Sequence, residues 1–510
     1  MAKGFFDRLG DALRVFFDGG SLFDRSTVLA VAKQFSLCPY ELQLELSELC
    51  DLLICDYNYA FDPQIYLRRY FDAEGLAENR YVFLIDEAHN LADRAVEMYS
   101  ATLSLSSVRA ALDALPPVGE KELRAALDAL MQDLVRMRAL CRDTVEPDGA
   151  GVEHGYYLNH APMESFHRRV EETLEVMEGR TYLLREAEWG LPLELLLPRL
   201  RRFLTVAEQY DERFLTFLAM EGEELTLRLS CLDPSHVLDL CMHRAKASVL
   251  FSATLTPGDY FVDILGGGKG AVRLSLPSPF DPERCAVVAV PTLSTRYGDR
   301  ADSYQKLAAI LAATVSAQAG NYIVYFPSYD YLSKVAEAFA KKYPQVPLIL
   351  QERGMTPAQR EAFLDSFLED GRLRVGFCVL GGSFSEGVDL PGRRLIGTVI
   401  VGTGLPGLSS ERNILKEYYD TTREMGFDYA YTYPGWNRVL QAAGRVIRRE
   451  EDCGIIVLVD DRYAEARTQA LFPEHWKAVK YARNPLELAD IAAGFWKKQK
   501  NHEDFCKKTE

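Results

Sequence analysis

Nothing in the 510 residues approaches a run of about eighteen uninterrupted apolar positions, so no membrane-spanning helix is expected. The first residues, Met1-Ala2-Lys3-Gly4-Phe5-Phe6, lack an apolar run closed by a small-residue cleavage site; the reading is no secretory signal and a cytoplasmic protein. A surplus of positive charge is missing too, since 58 basic residues face 74 acidic ones for a net charge of −16. That excludes a protein that coats nucleic acid with its whole surface, though it leaves room for a local basic groove. The ten cysteines include no Cys-x-x-Cys pair and read as reduced core residues. Cys38, Cys50 and Cys55 fit no zinc spacing. Internal repeats and low-complexity tracts are absent. With 48% hydrophobic and 26% charged residues the chain is of ordinary globular composition, and its length calls for roughly two to four domains.

Short apolar runs recur in two blocks. The first holds Leu52–Cys55, Tyr81–Ile85 and Ser248–Phe251; the second holds Tyr322–Phe326, Val375–Leu380, Leu395–Val401 and Ile455–Val459. Such runs read as buried strands of parallel sheets. Helical patterns over Tyr304–Gln318, Leu332–Lys342 and Pro357–Leu368 separate them, which gives two α/β domains. Between the blocks, about Ser104 to Leu229 is rich in Leu, Ala, Glu and Arg, with helical spacing in Leu123–Leu140 and Glu164–Met177. It reads as an inserted, mostly helical subdomain with an exposed turn at Pro147–Gly151. The Lys-rich tail after Trp496 reads as a frayed end.

Chemistry concentrates at strand ends. Phe83-Leu84-Ile85-Asp86-Glu87-Ala88-His89 is a strand that runs into two adjacent carboxylates, at the edge where open α/β sheets bind ligands. Asp86 suits Mg²⁺, and Glu87 suits activation of a water attacking a γ-phosphate; the plainer alternative is an acidic helix start. In Gln441-Ala442-Ala443-Gly444-Arg445-Val446-Ile447-Arg448, a helix would put Arg445 and Arg448 on one face, ready for phosphate oxygens. The alternative there is a basic stripe paired with Glu450, Glu451 and Asp452. Ser252-Ala253-Thr254 ends a third strand. Gly381–Gly392 is a glycine-rich turn in which Glu386 and Asp389 can reach ribose or neighbouring arginines.

In their order along the chain, Asp86–His89, Ser252–Thr254, Tyr325–Ser328, Ser383–Asp389 and Gln441–Arg448 resemble the motifs of superfamily 2 helicases. Leu37–Tyr40, Ile54–Tyr59 and Asp62-Pro63 narrow the resemblance to the XPD/DinG iron–sulfur helicases, over nearly the whole chain. The resemblance implies two RecA-like parallel-sheet domains, the first incomplete, with a helical arch inserted. Residues 1–37 would be a remnant of the cluster domain, 38–103 and 231–277 the partial first lobe, 104–230 the arch and 278–510 the second lobe. It implies a DEAH-box, ATP- and Mg²⁺-dependent 5′→3′ DNA helicase of DNA repair acting on single-stranded DNA. Glu87, Arg445 and Arg448 would be catalytic. Asp86, His89, Gly387, Asp389 and Gln441 would bind the cofactor, with Asp86 on Mg²⁺, and Ser252 and Thr254 would couple hydrolysis to movement. Cys38 matches the last of the cysteines that hold a 4Fe–4S cluster in the family.

No stretch matches Gly-x-x-x-x-Gly-Lys-Ser/Thr, the loop that cradles ATP phosphates. Gly266–Gly270 lacks its first glycine and its hydroxyl, and Gly402–Gly407 mimics a dinucleotide loop without the opening helix. The expectation is therefore an N-terminally truncated helicase that is inactive alone. Its phosphate loop and three further cluster cysteines would come from an upstream segment, or its partner would be another repair or replication protein. The alternative is a non-catalytic module binding single strands or proteins. Tyr329, Tyr331, Tyr418, Tyr419, Tyr431, Tyr433 and Trp436 are its candidate base-stacking residues, though packing is their commoner use.

Overall fold

The computed structural model describes residues 4–19, 23–71, 81–147, 151–180, 186–386, 389–476 and 478–509. The chain divides into two compact units, one ending at Leu67 and the other starting at Arg68. In the first, helices Phe5–Gly19, Arg25–Gln34 and Pro39–Ser47 close around Phe5, Phe16, Val28, Val31, Leu42 and Leu46. Asp24 starts the second helix by accepting from the Thr27 amide at 2.8 Å. The expected strand Leu52–Cys55 is not formed. Leu52, Leu53 and Ile54 are 69, 38 and 91% exposed, and no strand among the described residues pairs with them. Apolar character makes a parallel strand only where neighbours supply its hydrogen bonds.

The second unit opens with the short helix Arg68–Phe71, and its first strand, β1 (Val82–Ile85), is followed by the insertion. Helices Leu105–Ala114, Lys121–Met137, Glu164–Glu178 and Leu191–Ala207 dominate it, in keeping with the helical spacing. It also holds a sheet that the composition hid: β2 (Ala101–Ser104), β3 (Glu146–Pro147), β4 (Glu153–Asn159), β5 (Phe214–Glu221) and β6 (Glu224–Cys231). These are antiparallel in the order β2-β6-β5-β4-β3. The hairpin of β5 and β6 turns at Gly222, whose φ of +53° favours glycine. Residues 148–150 of the expected turn lie outside the described residues.

After the insertion, β7 (Ala247–Leu250) pairs in parallel with β1, with Ile85 opposite Leu250. The rest of the chain builds a seven-stranded sheet from β8 (Cys285–Val290), β9 (Asn321–Phe326), β10 (Leu348–Leu350), β11 (Arg374–Val379), β12 (Gly397–Val401), β13 (Gly454–Val459) and β14 (Lys480–Tyr481). The order is β10-β11-β9-β12-β13-β8-β14, and every described pairing is parallel. Helices Arg300–Ser316, Tyr329–Lys342 and Pro485–Thr509 cover one face through Leu307, Val335, Leu488 and Trp496. Pro357–Asp365 and Tyr433–Ala443 cover the other through Phe363, Trp436 and Val439. Each fully buried aliphatic side chain there adds roughly 1.5–3 kcal/mol, and burial on both faces is why these strands read as continuous apolar runs. The tail after Trp496 departs from the frayed end expected, because the last helix continues to Thr509. No described helix is long and apolar enough to cross a membrane.

Candidate active site

β1 ends at Ile85, and the chain turns at once. Asp86 accepts from the Glu87 amide at 2.7 Å, and the backbone of Glu87 takes a left-handed φ of +48°. That conformation costs a non-glycine residue energy and is tolerated where surrounding structure enforces it. Here the Ala88 amide is held by the Phe251 carbonyl, just past β7, at 3.1 Å. The Asp86 and Glu87 side chains stand exposed at the strand's carboxyl edge, while His89 is buried.

β7 brings up Ser252, whose hydroxyl meets three close partners and, at 3.4 Å, the Thr254 hydroxyl as well. His89 Nδ1 lies 2.7 Å away, the Thr254 amide donates to it at 3.2 Å, and it donates to Glu87 Oε2 at 3.3 Å. One proton and two lone pairs satisfy all three if His89 carries its proton on Nδ1. The other ring nitrogen, Nε2, then accepts from the side-chain amide of Gln441, which is also buried. With Gln441 Nε2 as the donor, the imidazole is neutral. Burial pushes the His89 pKa below its ordinary 6.5, a shift that Glu87 opposes and Arg445 reinforces. Glu87, Ser252, His89 and Gln441 thus form one hydrogen-bonded chain from the edge of β1 to the helix Tyr433–Ala443 of the large sheet.

The arginines follow that helix, though not as the sequence suggested. The helix ends at Ala443 with Gly444 as its cap, so Arg445 and Arg448 do not share a helical face. Carbonyl and carboxylate ties hold the turn instead. Arg445 Nε donates to the Ser385 carbonyl at 3.1 Å, and Asp452 accepts from the Arg448 and Arg449 amides at 2.7 and 2.8 Å. Asp452 also takes the Gly392 amide at 3.1 Å, so its carboxylate is committed to backbone rather than to a basic stripe. Burial and the nearby Arg448 lower the Arg445 pKa, while Glu87 and Asp389 raise it, which places this guanidinium in the field of the acid at β1. Arg448 is exposed, with Nε 3.8 Å from Asp389. Gly387 lies outside the described residues.

Asp86 offers the hard carboxylate oxygens that Mg²⁺ prefers, beside a second acid. The cluster assignment fits less well. Cys38 is exposed at the start of helix Pro39–Ser47, and no three His, Cys, Asp or Glu among the described residues are placed to hold a metal. Four thiolates are needed for 4Fe–4S, so these residues do not fit one. The sequence named Ser252, His89 and Gln441 singly. It held no signal that they join, because 163 and 352 residues separate the members of the two pairs.

The DEAD_2 family model matches residues 13–108, and the helicase C-terminal domain model matches residues 311–479. The chain is 23% identical to the ATP-dependent DNA helicase chl1 of Aspergillus clavatus, over 90% of this chain and 70% of that protein. It is 24% identical to the general transcription and DNA repair factor IIH helicase subunit XPD of Schizosaccharomyces pombe, over 86% and 66%. Against the regulator of telomere elongation helicase 1 homolog of Culex quinquefasciatus the figures are 24%, 89% and 54%, so the chain spans about half to two thirds of these last two relatives. Among solved structures, an XPD helicase superposes with a TM-score of 0.55 at 19% identity, covering 91% of this chain and 80% of its own. S. tokodaii Xpd4 superposes at 0.58 and 15%, covering 94% and 100%. Both share the fold.

Proposed function

Because the chain belongs to the XPD/DinG-type superfamily 2 helicases, we propose that it supplies part of the motor of an ATP-dependent 5′→3′ DNA helicase, which couples hydrolysis to movement along single-stranded DNA only once a phosphate loop is supplied to it. The observation that carries this is the hydrogen-bonded chain from Glu87 through Ser252 and His89 to Gln441. On this reading residues 38–103 and 231–277 serve as the first motor lobe, 104–230 as the arch and 278–510 as the second lobe.

The chemistry follows from charge and proton accounting. Glu87 takes the proton of a water attacking the γ-phosphate. Arg445, with Arg448 beside it, faces the negative charge that builds on the transferred phosphoryl group; a guanidinium stays protonated even when half-buried. Asp86 holds Mg²⁺, which neutralises charge on the phosphate oxygens when bound. Gly387 and Asp389 contact the nucleotide or relay its state. Once Glu87 is protonated it accepts less strongly from Ser252, so the change passes to His89 and Gln441 on one side and to Thr254 on the other. That is the coupling assigned to Ser252 and Thr254.

The missing Gly-x-x-x-x-Gly-Lys loop favours a second reading, a module that binds single strands without turnover. Fluorescence anisotropy on a labelled single-stranded oligonucleotide separates the two. The helicase reading expects salt-sensitive binding whose affinity changes when ATP and Mg²⁺ are added, and loss of that change in His89→Ala. Binding indifferent to nucleotide in the wild type favours the module.

A further inference from the structure

Of the seven aromatic residues that stood out in the sequence as base-stacking candidates, Tyr331, Tyr419, Tyr431 and Trp436 are buried. Tyr418 is tied to Asp233 through its hydroxyl at 3.4 Å, and Tyr433 packs on Tyr260 at 4.9 Å between ring centroids. Tyr329 is different. It begins the helix after β9, is only partly buried, and carries the guanidinium of Arg353 over its ring at 5.1 Å from the centroid. Arg353 is exposed, and it forms no ion pair among the described residues.

The ring is fixed from beneath. Gln351 is buried, donates from Nε2 to the Tyr329 hydroxyl at 2.9 Å, and accepts from the Val379 amide at 2.8 Å. This locks Tyr329 to the end of β11, so stacking on it costs little further ordering. The pair sits at the carboxyl edge of neighbouring strands, since β10, β11 and β9 are adjacent and run parallel. That is the edge where open α/β sheets receive ligands. Next along it, the chain turns at Gly381 with φ +76°, a conformation glycine takes without strain.

We propose that Tyr329 and Arg353 form a stacking platform for one base of single-stranded nucleic acid, the base lying on the exposed face of the guanidinium. Planar guanidinium and aromatic faces bind any base by stacking and cation–π attraction, without reading sequence. This site rests on the helicase reading above and adds a named base contact in the second lobe.

The test compares two probes of equal length, a thymidine homopolymer and a strand without bases, by anisotropy with the full chain and no nucleotide. The wild type binds the base-bearing strand more tightly. Tyr329→Ala and Arg353→Ala each weaken that binding by about ten-fold, the scale of one stacked base, and leave binding of the base-free strand within about two-fold. Tyr329→Phe retains the preference, whereas Arg353→Lys loses most of it because a lysine offers no plane. Arg353 is exposed, so its variants keep the test valid if Tyr329→Ala does not fold. Equal losses on both strands, or no loss on either, overturn the platform while leaving the helicase reading standing. A wild type that binds neither strand overturns both.

Discussion

Nδ1 of His89 lies 2.7 Å from the hydroxyl of Ser252, joining the turn after β1 to the turn after β7. Removing that hydroxyl in Ser252→Ala takes away the nearer acceptor of the ring N–H and leaves Glu87 Oε2, 3.3 Å away, as the other, a loss of about 1 kcal/mol. Urea unfolding of the variant measures it. An unchanged midpoint would mean that the contact contributes nothing.

Acid should weaken the fold through the same histidine. Its pKa in the folded chain lies below the ordinary 6.5, chiefly because of burial. Below that value the unfolded chain takes up a proton that the folded chain refuses, so stability falls with pH until the folded pKa is reached and then levels off. Burial lowers His167 and His475 in the same direction. The diagnostic quantity is therefore the difference between wild type and His89→Asn, which should narrow as the pH drops from 7.5 toward 5, with the flatter curve in the variant.

At the carboxyl ends of β8 and β13, Asp460 is fully buried against Arg462, which donates to it at 2.6 and 2.9 Å, and takes the Thr295 amide at 3.3 Å. Arg462→Ala strands a buried carboxylate and should cost about 3–5 kcal/mol, seen as a fall in thermal midpoint. Replacing both partners with apolar residues should recover much of that loss. A single variant as stable as the wild type would rule out the pair as a structural lock.

Phosphate release offers a fourth check. Without a lysine loop against the phosphates, the purified chain should hydrolyse ATP negligibly, with or without single-stranded DNA. DNA-stimulated release that disappears in Glu87→Gln would contradict this.

What the sequence made legible was local. β9 and β11–β13 stood out because strands buried on both faces are unbroken apolar runs; β1 and β7 stood out as apolar runs too, although Val82, Leu84 and Val249 are exposed, and the acid pair and serine turn followed from their positions at strand ends. β8 escaped because alanines dilute its valines. The hairpin of β5 and β6 escaped because it lies inside a stretch whose richness in Leu, Ala, Glu and Arg suits helices, although β6 itself alternates as a strand does. Leu52–Cys55 misled because a strand depends on partners distant in sequence. The ends of elements were equally opaque: Gly444 stops the helix before Arg445, and tertiary ties through Ser385 and Asp452 then position the turn.

The central claim is that the acids at β1 and the arginines after the helix Tyr433–Ala443 enclose the terminal phosphate of a nucleotide. Calorimetric titration with ATP and with ADP, both with Mg²⁺, tests it most directly. The wild type should prefer ATP, and Arg445→Ala should abolish that preference by weakening ATP about ten-fold while leaving ADP unchanged, the effect of one charge-assisted phosphate contact. Equal affinity of the wild type for the two nucleotides, or a preference that survives in Arg445→Ala, would contradict the account.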